Sequence, residues 1–526
     1  MTNNKNNRAK YIATLAALGL VASMIGCSYT ATAAEATEEA QTVVEAQAET
    51  TAGNTGAAAD TDAATAYNST ADGEHAITAD GETASYSNIS VSKTGDSDSG
   101  DEADFYGDNA AIFATNGADL TLNDISVSTD GTHANAVFSY GEGTTVTISD
   151  SEIDTTGNCS GGLMTTGGGT MNANNLTVHT TGNSSAAIRS DRGGGTVTVN
   201  GGSYTTEGTG SPAIYSTADI TVNDAELTST ASQGVVVEGK NSVTLNNVTL
   251  NADNNTKNSD KSDTYQAVMI YQSMSGDAAD GEASFTMNGG TLTNANGDIF
   301  FVNNTVATIN LSGAAILNAD GEGAFLRAEA AGWGNEGSNG GQVTVNAAGQ
   351  AIEGDMLVDE VSHLNLYLTQ GSSFTGAINP DGEAGEVYVE LDADSTWTLT
   401  ADSNISGLTC DADAIDLNGH TLTVNGEAYT EGTESTGTAI EVTVTSGGGS
   451  MGNPPEGKPG EGGMGNPPEG KPGEGGPGMG NGETPPEKPD GEKGNPPAKP
   501  DESNQKSTAT EQTSDAETTT ETTAEK

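Results

Sequence analysis

The chain has 526 residues, 71 of them Gly, with 17 Lys plus Arg against 74 Asp plus Glu and a formal charge of −57. Hydrophobic residues make up 33% and aromatics 4%, too few large apolar groups to fill a compact spherical core along the whole length. The acidic balance argues against nucleic acid or anionic lipid as a partner, because a phosphate surface needs a basic footprint.

Lys5, Arg8 and Lys10 precede an uncharged, largely apolar run from Tyr11 to Gly26 that closes on Cys27. The run is short for a membrane span, and with its basic flank it reads as an export signal over residues 1–26. Met24-Ile25-Gly26-Cys27 resembles a bacterial lipobox, which implies lipidation of Cys27 and anchorage on the extracellular face of the membrane. Met is not the preferred residue at the first lipobox position, and cleavage near Ala31-Thr32-Ala33 would instead release a soluble protein without Cys27. Residues 27–83 are dominated by Ala, Thr, Glu and Asp and read as a low-complexity spacer, unable to bury enough surface to offset its ordering entropy.

A triad of Thr, an apolar residue and Asn recurs through the middle of the chain. It stands at Thr121-Leu122-Asn123, Thr170-Met171-Asn172, Thr198-Val199-Asn200, Thr221-Val222-Asn223, Thr244-Leu245-Asn246, Thr286-Met287-Asn288, Thr308-Ile309-Asn310 and Thr344-Val345-Asn346, with Thr147-Ile148-Ser149 as a variant. The modal spacing is 23 residues, and the longer intervals hold an insertion or a second coil. Upstream of most triads lies a second apolar patch, such as Ala111-Ile112-Phe113 or Ala136-Val137-Phe138, and downstream a third, such as Val127 or Ile153. Three short strands per repeat, punctuated by Gly, Asn and Asp, make one rung of a β-solenoid. The fold class is therefore all-β, a right-handed parallel β-helix of about 12–15 rungs over residues 84–446.

Alternation in Val146-Thr147-Ile148 turns the apolar residues inward and the Thr outward. Stacking then predicts an external Thr column and an Asn column at a turn, where amides donate and accept along the stack. Of 15 Pro only Pro212 and Pro380 precede residue 450, as expected where Pro would remove a ladder donor. Cys159 and Cys410 fall in distant rungs, too far apart to bond, and are expected to be free thiols. Residues 447–526, with a 13-residue repeat beginning at Met451 and again at Met464, read as a disordered Pro/Gly-rich then Thr/Glu-rich tail.

Cations are scarce in the solenoid, and Arg189-Ser190-Asp191-Arg192 is their densest cluster. Arg189, Asp191 and Arg192 are candidates for a carboxylate or sugar clamp, against a turn salt bridge as the plainer alternative. Trp333, between Gly332 and Gly334 in an insertion, offers a platform for a sugar ring or a cap on the solenoid side. Asp96, Asp98, Asp101 and Asp104 alternate on a Gly-containing loop and are candidate calcium ligands, although the spacing is not that of an EF-hand. No cofactor is required. The five His are scattered without metal spacing. The outward Thr column admits ice binding only as a regular flat array, which the uneven rung lengths interrupt.

The segments D-F-Y-G-D-N-A-A-I (104–112), H-A-N-A-V-F-S-Y-G-E-G-T-T-V (133–146), A-A-I-R-S-D-R-G-G-G-T-V (186–197), S-P-A-I-Y-S-T-A-D-I-T-V (211–222) and V-E-G-K-N-S-V-T-L (237–245) resemble a family of surface proteins of Gram-positive anaerobes. That family is described as adhesin-like or carbohydrate-binding, with a pectin-lyase-like β-helix. The resemblance implies a non-enzymatic cell-surface lipoprotein whose partner is a glycan or another surface component, and it transfers no catalytic residue. A polysaccharide lyase or glycoside hydrolase on the same scaffold, or a structural spacer without a ligand, are the alternatives.

Overall fold

The computed structural model describes residues 64–97, 99–257, 259–382 and 385–442. They form a parallel β-helix, with Asp101–Tyr106 the one α-helix among the described residues. A 19-stranded sheet and an 11-stranded sheet run along the stack, and smaller sheets complete the later coils. The export signal, Cys27, most of the spacer and the tail lie outside the described residues.

Register explains why the pattern is legible. Leu120, Val146, Met171, Val197, Ile220, Val243 and Phe285 stand directly beneath one another and all point into the core. Between them, Thr121, Thr147, Asn172, Thr198, Thr221, Thr244 and Thr286 form the outward column that alternation predicts. Three triads sit two residues out of register: Thr170 pairs with Thr196, and Thr308 with Ser284 and Thr344. A slip of two keeps every side chain on its proper face, so the inward–outward pattern cannot reveal it.

The Asn column is a ladder of side-chain amides. Asn200, Asn223, Asn246 and Asn288 each donate through Nδ2 to the Oδ1 of the Asn one coil earlier, from Asn174 onward, at 3.0, 3.0, 2.8 and 2.9 Å. The left-handed backbone belongs to the following residue, at Asp124, Asp150, Asn175, Gly201, Asp224, Asn247 and Gly289. Asn, Asp and Gly tolerate that conformation, which bends the chain from one face to the next in every coil.

A second corner stacks Gly131, Gly157, Gly182 and Gly208. A Cβ at each would lie 1.8–2.1 Å from the carbonyl oxygen of the preceding glycine in the column. Gly is required here by contact between coils. Below this turn Ser160, Ser185 and Ser211 relay hydrogen bonds, with Ser160 N–H donating to Ser185 Oγ and Ser185 N–H to Ser211 Oγ, both at 2.9 Å.

Two expectations are corrected. The fold begins about one coil before residue 84, because Thr65–Ser69 pairs with Ile89–Lys93 and Ile77–Asp80 with Ile112–Thr115. Tyr67, Ile77 and Ala79 are too sparse an apolar signal to stand out from the Ala- and Thr-rich sequence around them. Cys159 is disulfide-bonded rather than a free thiol, whereas Cys410 is free and buried. Large aromatics also enter the core in its later half: Phe285, Phe300 and Phe325 meet edge to face with centroids 5.5 Å apart, and Phe374 stacks on Trp397 at 5.4 Å.

Candidate functional site

The 11-stranded sheet is buried on both faces over most of its length. Its outward column reads Phe113, Phe138, Met164, Arg189, Tyr215, Val236, Met269 and Phe301, all buried. The insertions of the chain gather over this column as a roof. The segment bearing the short helix lies at one end, where Phe113, Phe138 and Met164 join Ala110 in an apolar cluster. At the other end Trp333 joins Tyr215, Val236, Met269, Tyr271 and Phe301.

Charge enters where the two apolar clusters meet. Arg189 is 1% exposed and reaches two carboxylates: Nη1 donates to Asp104 Oδ2 at 3.0 Å and Nη2 to Asp191 Oδ2 at 2.8 Å. Asp104, carried by the short helix, also accepts Asn135 Nδ2 at 3.0 Å and lies 3.3 Å from His133 Nδ1. Arg192 stacks its guanidinium 3.8 Å from the centroid of Phe105 and pairs with Asp277 at 2.7 Å. Arg189 therefore ties the helix to the sheet, and Arg192 ties the 272–281 insertion to the helix. Glu238, 1% exposed, accepts the hydroxyls of Tyr215, Tyr271 and Ser273, the last from that same insertion. Arg327, further along the column, repeats the device with Asp298 at 2.6 Å.

Burial decides the ionisation of these acids. Burial tends to raise the Asp104 carboxyl, but Arg189, His133 and Asn135 together outweigh it and hold it below the ordinary carboxylate range. Asp191 is pushed up to about 7 by burial, reinforced by the charges of Asp277 and Asp104 against the pull of Arg189. Burial likewise raises Glu238. The raised Asp191 carboxyl contributes stability that is complete below the ordinary carboxylate range and is lost as pH rises through about 7. Asp104 does the reverse, contributing stability above that range and losing it on acidification. Asp191→Asn should flatten the fall in stability between about pH 4 and pH 8 by on the order of 2–4 kcal/mol, read from urea unfolding at each pH.

The sequence candidates are thus brought onto one face, in structural roles. Arg189 and Asp191 are buried in the ion-pair network, and Arg192 is held by Asp277 and Phe105. Trp333 is 1% exposed, its ring 5.3 Å from that of Tyr271, so it caps the sheet and is no open platform for a sugar. Of the four calcium candidates, the side chains of Asp96 and Asp104 are described. Asp104 is committed to Arg189, while Asp96 Oδ1 accepts Thr132 N–H at 2.7 Å in the turn. Asp98 and the side chain of Asp101 lie outside the described residues. Among the described residues the metal-like grouping is instead Asp104, His133 and Cys159, and the last is disulfide-bonded. Glu238 and Asp277 escape sequence reasoning because nothing distinguishes them among 74 acids until register sets Glu238 beside Tyr271.

A polar cleft opens beside the apolar end of the roof, between the turn at Gly210 and Ser232 and the insertion spanning residues 253–265. Gln233, Asn254, Thr256, Lys257, Tyr265 and Gln266 are among its lining residues. The insertion is tied to the Trp333 loop, since Gly332 N–H donates to Lys261 O at 2.7 Å and Lys261 Nζ stands 5.7 Å from the centroid of the Trp333 ring.

No family model, curated protein or solved structure matches this chain.

Proposed function

We propose that the protein is a non-enzymatic, adhesin-like surface protein that presents a β-helix to carbohydrate on the outer face of the membrane. One observation carries the reading: the residues best suited to acid–base chemistry on a glycan are committed to one another beneath the roof. Arg189 bridges Asp104 and Asp191, Arg192 holds Asp277, and Glu238 accepts three hydroxyls. A hydrolase needs two carboxyls about 5–10 Å apart on either side of an accessible sugar bond. A lyase needs a base that reaches substrate and a cation that neutralises a uronate. Neither demand fits Asp104, Arg189, Asp191 and Glu238, which are buried and already paired, or Arg192 and Asp277, which are partly exposed but paired with each other. The remaining exterior is rich in hydroxyls and amides, which suit saccharide hydroxyls.

Retention of the full chain on immobilised polysaccharides tests the reading. Saturable retention on at least one glycan is expected, and no retention across a broad neutral and acidic panel would overturn it. A mass spectrum of the mature N-terminus tests for a lipid anchor: a diacylglyceryl-modified Cys27, which could not then be a disulfide partner of Cys159, marks a lipoprotein, and an unmodified peptide starting near Glu35 marks a released protein.

A further inference from the structure

We infer that the 272–281 insertion is a pH-gated flap, closed on the sheet while the buried acids beneath it hold protons and released as they ionise.

The inference starts from a count of charge beneath the roof. Four carboxyls gather there: Asp104 from the short helix, Asp191 and Glu238 from the coils of the sheet, and Asp277 from the insertion. Two guanidiniums answer them. Arg189 is shared between Asp104 and Asp191 at 3.0 and 2.8 Å, and Arg192 is taken by Asp277 at 2.7 Å. Asp104 also has His133 at 3.3 Å, whereas Glu238 is held by the hydroxyls of Tyr215, Tyr271 and Ser273 alone. Asp191 and Glu238, 3% and 1% exposed, are therefore the acids left short of positive charge. An uncompensated buried carboxylate is costly, so these two are where the closed roof retains protons.

The insertion itself carries the charge that works the gate. Burial raises the Asp191 carboxyl to about 7, with Asp277 and then Asp104 adding to it against the pull of Arg189. Burial raises Glu238 as well, and Asp277 adds there too. The neighbouring Tyr215 and Tyr271 are pushed well above the ordinary tyrosine range, first by burial and then by Glu238, and stay neutral throughout. Release of the insertion removes Asp277 and admits water, which returns both acids toward the ordinary carboxylate range. Because the closed state holds its protons more tightly, closure is favoured in full below that range and is lost as pH rises through about 7. One such proton makes opening about tenfold more favourable per pH unit over the interval.

The insertion can move without dismantling a coil. It joins Gln266–Tyr271 to Glu282–Asn288, strands that keep their pairing with the coils on either side. Ser273 on Glu238, Asp277 on Arg192 and the Ala279 carbonyl, which accepts Lys240 N–H at 2.7 Å, hold it down. Its release frees the Arg192 guanidinium, stacked on Phe105, and the Glu238 carboxyl for contact with solvent.

Hydrogen exchange of the full chain between pH 5 and pH 8, expressed as protection relative to the unstructured rate at each pH, tests the flap. Protection at the Lys240 amide and through residues 272–281 should fall about a hundredfold over that range, while Gly341–Ala348 keeps its protection. Asp191→Asn should cut the fall to about tenfold or less. Asp277→Asn, at a position on the flap that is 19% exposed, should also diminish the fall and guards against a folding defect in the first variant. Constant protection in wild type, or a fall undiminished in both variants, would overturn the inference. A fall of equal size in Gly341–Ala348 would overturn it too, because the coils and not the flap would then be opening.

Discussion

Arg189→Ala is expected to lower the unfolding free energy by about 3–5 kcal/mol, the cost of leaving buried carboxylates without their cation. Asp104 and Asp191 would lose donors at 3.0 and 2.8 Å while both remain covered by the roof. The loss should be local before it is global. Because Arg189 holds the helix Asp101–Tyr106 through Asp104, hydrogen exchange should quicken first in that helix and at Phe113 and Phe138 beneath it. Replacing all three groups together, as Arg189→Met with Asp104→Leu and Asp191→Leu, should recover most of the loss, since a buried ion cluster exchanged for apolar groups is often neutral. Equilibrium urea unfolding of the single and triple variants measures both. A single variant as stable as wild type would mean that the cluster is solvated and the face open.

Gly182→Ala should be nearly as damaging, at about 3 kcal/mol, for a different reason. The new Cβ would lie 1.9 Å from the carbonyl oxygen of Gly157, and backbone cannot move aside as a side chain can. The strain passes along the stack, because Gly208 repeats the contact against the Gly182 carbonyl at 1.8 Å. Gly201→Ala is the control. Its Cβ would meet nothing within 4 Å, so only the left-handed backbone at φ 69° is penalised, by about 1–2 kcal/mol. Thermal melting of the two variants should rank them in that order, and equal melting temperatures would show that the coils do not touch at this corner.

Much of the architecture is legible in single residues. Val146, Thr147 and Ile148 alternate as a half-exposed strand must, and the spacing of such triads gives the coil. The corner residues Asp124, Asp150 and Asn175 are legible too, as side chains that tolerate a left-handed backbone. What alternation cannot supply is register in steps of two, so Thr170 and Thr308 mislead although each still faces outward. The roof had a signal of its own. Ile112-Phe113, Val137-Phe138 and Val235-Val236-Val237 are continuous apolar runs, the pattern of strands covered on both faces. That pattern also implies that Arg189, at the same position of its coil, is covered. The partners of Arg189 were hidden for a physical reason: Asp104 lies 85 residues away and meets it only because an insertion folds back over the sheet.

The central claim is that this β-helix binds polysaccharide without cutting it. The most direct measurement incubates the full chain with the neutral and uronate-rich panel in the presence of Ca²⁺ and follows new reducing ends and unsaturated uronate together. The account predicts no release above a protein-free blank, on the same polysaccharides that retain the chain. Release that disappears in Glu238→Gln or Asp191→Asn would contradict it, because groups assigned to holding the roof would then be working on substrate.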